Sequence, residues 1–257
     1  MKKLIKLTTA FLFAFVLTGN SQNLTLEEIL TKHFETTGTE KLSKIKTIEM
    51  DGKIITQGIE MPFVSKVKAP GKLRTEVTVQ GNKMIQAYDG KDGWMVAPWT
   101  GTDEPQDINP DQLKQIKDQA DFTGKLWKWK DKVQSLELVG KEDMEGTEVY
   151  KLKMVDKPEK NENDTTEMKD GDVTYIFIDA ENFVILKMLA KKKIRGAEME
   201  FETYQSNYKD KDGILMPFSI ETKMKGKTIT QVTIANVQFN LDFDDSIFER
   251  PKTDENK

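Results

Sequence analysis

The sequence predicts a mainly β protein with few helices (an α+β fold), in which about a dozen antiparallel strands curl into a barrel or a deep half-barrel. Apolar and polar residues alternate with a period of two in a series of short runs between Ile45 and Asn240. Tight turns containing glycine, asparagine or aspartate separate many of these runs, and such turns join antiparallel neighbours. Helical periodicity occurs before the first run and in the middle of the series. A sheet with so many strands in simple order curls strongly, and the helices must cover one opening or one face.

The N-terminal segment Met1–Ser21 has the three parts of a secretory signal peptide. Three lysines form a basic start, an apolar run follows from Leu7 to Leu17, and Gly19 and Ser21 are small residues at the expected cleavage point. The apolar run is shorter than the about 20 residues that cross a bilayer core, which argues against a membrane anchor. We therefore expect cleavage after Ser21, and residues 22–257 then form a single domain.

The composition narrows the possible partners and chemistry. The chain contains no cysteine, which excludes a disulfide framework, a thiol nucleophile and a lipid-modified cysteine. An exported chain without cysteine or lipid anchor fits the bacterial periplasm. Removing the three lysines of the signal peptide would change the formal net charge from −4 to −7. An acidic protein of this kind is not expected to bind nucleic acid or anionic membrane surfaces.

A first helix is predicted directly after the signal peptide. Thr25 and Glu28 have the spacing of a capping box, in which each side chain accepts a hydrogen bond from the other residue's backbone amide. The residues that recur at helical spacing are Leu26, Ile29, Leu30, His33 and Phe34. The helix is expected to end near Gly38 and to pack its apolar stripe against the sheet.

The first group of predicted strands ends in a distinctive hairpin. These strands are Ile45–Thr56, Ile59–Lys68, Lys72–Gln80, Lys83–Ala87 and Trp94–Val96. The turn 89–93 between the last two contains two Asp-Gly pairs, and glycine supplies the positive φ that such a turn needs. Trp94 follows the turn as an aromatic anchor, and Pro98 ends the strand because proline cannot donate to a ladder.

A helical insertion, at about residues 99–131, interrupts the strands. Trp99–Asn109 is a loop, after which Asn109 and Pro110 have the pattern of a helix N-cap followed by proline at the first helical position. Leu113, Ile116 and Ala120 line one side of this helix, and Phe122, Leu126, Trp127 and Trp129 are expected on a further helical turn. This insertion is predicted to form an aromatic-tipped lid.

A second group of strands follows the insertion. These strands are Gln134–Lys141, Glu148–Asp156, Asp172–Asp179, Phe183–Lys193, Glu198–Lys209, Ile214–Lys225 and Lys227–Asn240. A polar, acid-rich loop at 157–171 separates the second and third of them. The chain is predicted to end with one helical turn, Asp244–Phe248, and a charged tail.

The sequence lacks the side chains on which most enzymes depend. Its only histidine, His33, lies on the apolar side of the first helix and is interpreted as a structural residue. One histidine and no cysteine exclude the usual zinc sites. Residues 159–164 are acidic but lack the Asp/Asn alternation and the glycine of a calcium loop, so they are interpreted as a solvated loop. We therefore expect no catalytic residue, no metal and no cofactor.

Apolar residues exceed what a thin sheet needs, and twelve methionines add adaptable apolar surface. They could fill a closed core or line a concave cavity under the lid. For the second case, the predicted ligand-binding residues are Val77, Val79, Trp94, Val96, Leu113, Ile116, Phe122, Trp127, Leu152, Ile176, Ile178, Leu186 and Met188.

Three short motifs resemble those of the LolA/LolB-like carriers, the family that sorts outer-membrane lipoproteins. Residues 67–70 read V-K-A-P, residues 88–98 read Y-D-G-K-D-G-W-M-V-A-P, and residues 245–251 read D-S-I-F-E-R-P. The family shows V-K-R-P, then S-D-G-K-x-x-W-x-x-x-P, and closes with x-x-F-x-x-P. The resemblance implies an open half-barrel of about eleven strands with an N-terminal helix and a helical lid.

The resemblance also implies a function and contains one departure. Carriers of this family bind acyl chains in the cavity and shuttle them across the periplasm without covalent chemistry. Ala69 stands where the family has an arginine that is tied to closing the lid and handing on the cargo. Arg74 could take that role from a neighbouring strand. The departure puts lipoprotein sorting in question and leaves binding of an apolar ligand as the expectation.

Three functional hypotheses follow. The first is a periplasmic, monomeric carrier or sensor that binds lipoprotein acyl chains or another lipid-like ligand. The alternative is an envelope interaction module that uses the same fold to bind a protein partner, which a closed core around Leu113 and Trp127 would favour. An unrecognised hydrolase is the third, and a cluster of buried carboxylates would support it.

Overall fold

The structure, a computed structural model, describes residues 24–158, 172–194 and 197–252. The predicted signal peptide and the acidic loop at 159–164 lie outside the described residues. The helices are α1 (Leu26–Thr37), α2 (Thr39–Leu42), α3 (Pro110–Ala120) and α4 (Trp129–Lys132). The strands are β1 (Thr47–Thr56), β2 (Ile59–Lys68), β3 (Lys72–Val79), β4 (Asn82–Tyr88), β5 (Gly93–Val96), β6 (Gln106–Asp107), β7 (Val133–Met144), β8 (Thr147–Asp156), β9 (Val173–Asp179), β10 (Ile185–Ile194), β11 (Ala197–Lys211), β12 (Ile214–Met224) and β13 (Lys227–Phe239). Short 3₁₀ turns lie at Pro98–Thr100 and Asp245–Ile247.

All these strands form one antiparallel sheet of 13 strands, in the order β6-β5-β4-β3-β2-β1-β13-β12-β11-β10-β9-β8-β7. The first and last strands of the chain therefore pair at the middle of the sheet. Strands β6 and β7 are its two edges and do not pair with each other, so the barrel is open. The predicted α+β half-barrel is confirmed, with 13 strands where the resemblance implied about eleven. The short strand β6 was not predicted because two residues show no alternation.

The insertion, residues 108–132, joins one edge of the sheet to the other. It leaves β6 at Asp107 and enters β7 at Val133, so it crosses the concave side of the curled sheet. Asn109 caps α3 and forms a capping box with Gln112. The insertion begins later than the predicted residue 99, because Gln106 and Asp107 still pair with β5.

The concave side, here called the inner face, carries two apolar clusters. In the first, Ile48, Val67, Leu73 and Tyr88 are cross-strand neighbours on β1–β4. Ile116 of α3 is buried in the same cluster. The second cluster joins α1 to β7–β9 and contains Ile29, Leu30, Leu136, Leu152, Ile176 and Ile178. The two helices therefore cover different halves of the inner face.

Helix α1 is fixed at both ends by its sequence. The predicted capping box of Thr25 and Glu28 is present. Gly38 ends the helix at φ 65°, and a Cβ on this residue would lie 2.2 Å from the carbonyl oxygen of Gly213. Glycine is therefore required at position 38 both for its backbone conformation and for the close approach to the β11–β12 turn.

The convex side, here called the outer face, is covered at one end by residues 241–250, the strap. The Trp94 Nε1 donates to the carbonyl of Phe248 at 2.9 Å, and the Arg74 Nη1 donates to the carbonyl of Ile247 at 2.9 Å. Phe248 is fully buried. Hydrogen bonds from Lys68 and Lys72 lower the pKa of Asp245 to about 2. The strap therefore packs on β2–β5 from outside.

None of the helices in the described part of the chain has the length and apolar character that a membrane span needs.

Candidate functional site

Burial on the inner face decreases along the β1–β2 hairpin. Phe63 and Val77 are cross-strand neighbours in the closed part of the first cluster, and both are buried. One step further toward the hairpin tip lies the open apolar row, which consists of Ile220, Val232, Ile54 and Met61. All four residues are only half-buried. The inner face therefore presents a continuous apolar row across β12, β13, β1 and β2 that protein covers incompletely.

Methionines enrich the apolar surface around this row. The half-buried methionines that pack against the first cluster are Met50, Met61, Met84, Met95 and Met216. A methionine side chain has three rotatable bonds and fits irregular apolar shapes. The predicted ligand-binding residues include none of these methionines. Met61 alternates in phase with Phe63 on β2, and Met84 pairs with Val77 across β3 and β4. The inner face of these strands therefore includes both methionines, but the sequence does not show which face is the inner one.

The structure brings most of the predicted ligand-binding residues together in two groups. Val77, Val79, Leu113, Ile116 and Phe122 belong to the first cluster or pack against it. Leu152, Ile176, Ile178 and Met188 belong to the second or pack against it. Trp127 contacts Phe34 of α1 with ring centroids 5.1 Å apart. Leu186 lies at a register irregularity between Ile185 and Lys187, so alternation does not assign its face.

The structure separates Trp94 and Val96 from both groups. Trp94 pairs with Ala87, which pairs with Arg74, and these residues share the outer face with the strap. Trp94 is 2% exposed because the strap covers it. Sequence alternation shows that Trp94 and Val96 share a face, but both faces of β5 are covered by protein, so apolar character alone does not identify the inner one.

Gly93, next to Trp94, lies on the inner face. It pairs with Tyr88 on the inner face, and a Cβ at this position would lie 2.3 Å from the Cδ1 of Ile108 and 3.0 Å from the Cδ1 of Leu113. Glycine at position 93 therefore lets the insertion approach the sheet. The hairpin motif supports the insertion from one face and the strap from the other, which is an architectural role.

Ion pairs connect the insertion to the second half of the sheet. Lys114 lies 3.2 Å from Asp172, and Lys125 lies 2.8 Å from Asp156 and 2.9 Å from Asp118. Asp156 ends β8 and Asp172 precedes β9. Because α3 packs by apolar contacts against β3 and β4, the insertion bridges the two halves of the curled sheet.

Electrostatics favour the ion pairs of Lys125. Burial alone would lower the pKa of Lys125, but hydrogen bonds to Asp156 and Asp118 outweigh that effect and raise the pKa above its ordinary value. Lys125 therefore stays charged wherever its aspartate partners are ionised.

Arg74 does not contact the insertion. Its side chain donates to Glu76 and to Ile247, and it lies 5.7 Å from the Trp94 ring centroid on the outer face. The interpretation of Arg74 as a substitute for the family arginine at Ala69 is therefore wrong. Ala69 itself is exposed in the turn between β2 and β3.

Two further features bear on where a ligand or a metal ion could bind. A depression of about 340 Å³ on α1 is lined by Glu27, Glu28, Thr31, Lys32 and Glu35, whose charges do not suit an acyl chain. Within the described ranges, no three histidine, aspartate or glutamate side chains come together in a way that could hold a metal ion.

Solved structures with a similar architecture include the following three proteins. A LolA superfamily protein from Nitrosomonas europaea has a TM-score of 0.58 at 15% identity, covering 88% of this chain and 98% of that chain. A DUF1329 family protein from Desulfovibrio piger has a TM-score of 0.55 at 12% identity, covering 86% and 97%. An outer membrane lipoprotein-sorting protein domain from Vibrio parahaemolyticus has a TM-score of 0.53 at 12% identity, covering 85% and 95%. The chain has the LolA-like fold. No protein-family model matches the sequence, and no curated protein matches it.

The LolA-like fold gives the sequence motifs a common location. Lys68 from the first motif donates to the carbonyl of Phe243 at 2.8 Å, and Trp94 from the second donates to Phe248 from the third. All three motifs therefore meet where the strap packs on the outer face, away from the open apolar row.

Proposed function

We propose that this protein is a periplasmic carrier that binds the acyl chains of lipoproteins, or another lipid-like ligand, on the inner face of its sheet. The observation that carries the proposal is the open apolar row of Ile220, Val232, Ile54 and Met61, which is half-buried and continuous across four strands. Each methylene that a ligand buries there contributes about 0.8 kcal/mol, so an acyl chain gains useful affinity without covalent chemistry.

The helices that cover the inner face determine how a ligand reaches it. Helices α1 and α3 occupy part of the apolar surface that the ligand would use. Loading therefore requires the insertion to move, and its ion pairs to Asp156 and Asp172 define the closed state. The ligand shifts the equilibrium toward the open state in proportion to its preference for that state. No catalytic step is part of the proposal, and the carrier acts as a monomer after signal-peptide cleavage.

The test is ligand recovery combined with a matched pair of variants. Protein purified from the periplasm is extracted with organic solvent for mass spectrometry, and binding of a fluorescent fatty acid is titrated. We expect Met61→Glu to weaken binding at least tenfold, because it places a charge in the open apolar row. Val64→Glu is the control, since Val64 lies on the outer face of the same strand and is 37% exposed. No recovered lipid and no fluorescent fatty-acid binding would contradict the proposal.

A second candidate is an envelope interaction module that binds a protein partner. The observation in its favour is that Leu113 packs on the first cluster and Trp127 on α1, so the inner face is partly filled without a ligand. The same extraction discriminates the two functions, because an interaction module has no need to retain lipid.

A further inference from the structure

Asp156 places a buried polar atom on the apolar inner face. In β8 its side chain is in phase with Leu152 and Met154, which belong to the second cluster. It is 9% exposed, and its cross-strand partner Val133 is buried and apolar. The Asp156 Oδ2 accepts a hydrogen bond from the Lys125 Nζ at 2.8 Å. The Oδ1 is buried and has no hydrogen-bond partner among the described residues.

A buried carboxylate oxygen without a hydrogen-bond partner is stabilised when a donor binds to it. Buried acceptors in native proteins almost always have a partner, and leaving one unpaired is unfavourable. The neighbouring charges point to the type of partner. Among the described residues, ion pairs join the carboxylates of Asp118, Asp156 and Asp172 to the ammonium groups of Lys114 and Lys125. A carboxylate oxygen accepts hydrogen bonds and repels other anions, so it favours a neutral donor or a cation and disfavours an anion.

We propose that the Asp156 Oδ1 binds the polar head of an acylated ligand by accepting a hydrogen bond from an N–H or O–H group next to the acyl chain. The inference rests on the proposed carrier function and specifies its ligand as an acyl amide, acyl amine or acylglycerol rather than a free fatty-acid anion. Placing one polar contact on an apolar wall is how binding sites fix the orientation of amphipathic ligands. Because Oδ1 is covered in the closed state, the head reaches it while the insertion is open, and Lys125 pairs with Oδ2 again when the insertion closes over the ligand.

The experiment uses two neutral ligands that differ in hydrogen-bond donors. Dodecanamide has two N–H donors, whereas N,N-dimethyldodecanamide has none, and each displaces the fluorescent probe N-phenyl-1-naphthylamine from the full mature protein. Each affinity is divided by the ligand's partition into detergent micelles, which removes its intrinsic hydrophobicity. The wild-type protein should then prefer dodecanamide about tenfold, as expected for a hydrogen bond to a charged acceptor. Dodecanoate, the anion, should bind more weakly than dodecanamide.

The variant Asp156→Asn tests the assignment of the atom. Lys125 will hold the amide oxygen, so the amide nitrogen replaces Oδ1 and the buried acceptor becomes a donor. The corrected affinities of dodecanamide and N,N-dimethyldodecanamide should then be about equal, or the dimethyl amide should bind more tightly. Asp172→Asn is the matched control, because Asp172 belongs to the same charged group but already pairs with Lys114, and it should keep the wild-type preference.

Each outcome decides a separate question. Equal corrected affinities of the two amides for the wild-type protein would overturn the head-group assignment, and Oδ1 would then be satisfied by water only. This wild-type comparison decides the matter even if Asp156→Asn fails to fold. An unchanged tenfold preference in a folded Asp156→Asn variant would also overturn it. If neither the probe nor any twelve-carbon ligand binds the folded wild-type protein, the carrier function itself fails.

Discussion

Single residues set the pH dependence of this protein, and His33 is the clearest case. Its Nδ1 donates to the carbonyl of Phe183 at 2.8 Å, between α1 and the β9–β10 turn. Burial lowers the pKa of His33, and the hydrogen bond to Phe183 offsets only part of that effect. The unfolded chain therefore binds a proton at this position at a higher pH than the folded protein does.

The first prediction concerns this histidine. The stability that it contributes is present above the unfolded pKa of about 6.5 and decreases as the pH falls toward the lower folded-state pKa. His33→Gln keeps an N–H donor for Phe183 but cannot titrate. Urea unfolding at about pH 7 and about pH 5 should show a smaller loss of unfolding free energy for the variant than for the wild type. Equal losses in both proteins would contradict the burial argument.

Residue-level inference from sequence succeeded where local chemistry decides the outcome. The Thr25 capping box and the Asn109–Pro110 helix start are local patterns, and both are present. The face of Trp94 depends on a strap 154 positions away in the chain, so no local pattern reveals it. The predicted strand begins at Phe183, yet this residue lies at φ 53° before the strand starts at Ile185, and its carbonyl accepts a hydrogen bond from His33.

At the scale of elements, the strap and the insertion act on opposite faces of the same strands. The second prediction separates them. Phe248→Ala should lower the free energy of unfolding by about 3–5 kcal/mol, because it removes a fully buried aromatic ring. Affinity for a fluorescent fatty acid should change less than twofold, since the strap does not reach the inner face. Glu249→Ala, an exposed neighbour, is the control and should leave both quantities unchanged.

The third prediction concerns the ion pairs of the insertion. Lys125→Gln removes the charge that pairs with Asp118 and Asp156, and it should lower the free energy of unfolding by about 1–3 kcal/mol. It should also speed release of a bound fluorescent probe, because the closed state loses an attachment. Stopped-flow fluorescence measures the release.

Lys83→Gln is the comparison for Lys125→Gln, since Lys83 pairs with Glu76 away from the insertion and is largely exposed. It should change stability by less than about 1 kcal/mol. An unchanged release rate for Lys125→Gln would mean that the ion pairs do not control opening.

The element-level predictions from sequence were good for the long strands and poor for connections. Twelve strands follow from alternation and turn residues, with ends displaced by a few positions. The pairing of Gln106 and Asp107 with β5 arises from tertiary context, because two residues carry no periodic signal. Likewise, ion pairs such as Lys125–Asp156 join residues 31 positions apart and depend on how the insertion crosses the sheet.

At the scale of the whole molecule, the sheet consists of two meanders, β1–β6 and β7–β13, that meet where β1 pairs with β13. Each meander is covered by a segment from the other part of the chain. Helix α1, which precedes β1, packs against β7–β9, and the strap, which follows β13, packs on β2–β5. This exchange adds contacts between the two halves of the chain to the ladder between β1 and β13.

The chain is thus two mutually dependent pieces that one segment of backbone connects on the inner face. A cut between Thr123 and Gly124, at an exposed glycine with open space around it, would sever that segment and leave every sheet ladder intact. We expect the two fragments from an engineered protease site there to co-elute in gel filtration and to reassemble when mixed after denaturation. Fragments that separate without denaturant would contradict this. The two fragments would then serve as a split reporter, in which fatty-acid binding returns only when both fragments are present.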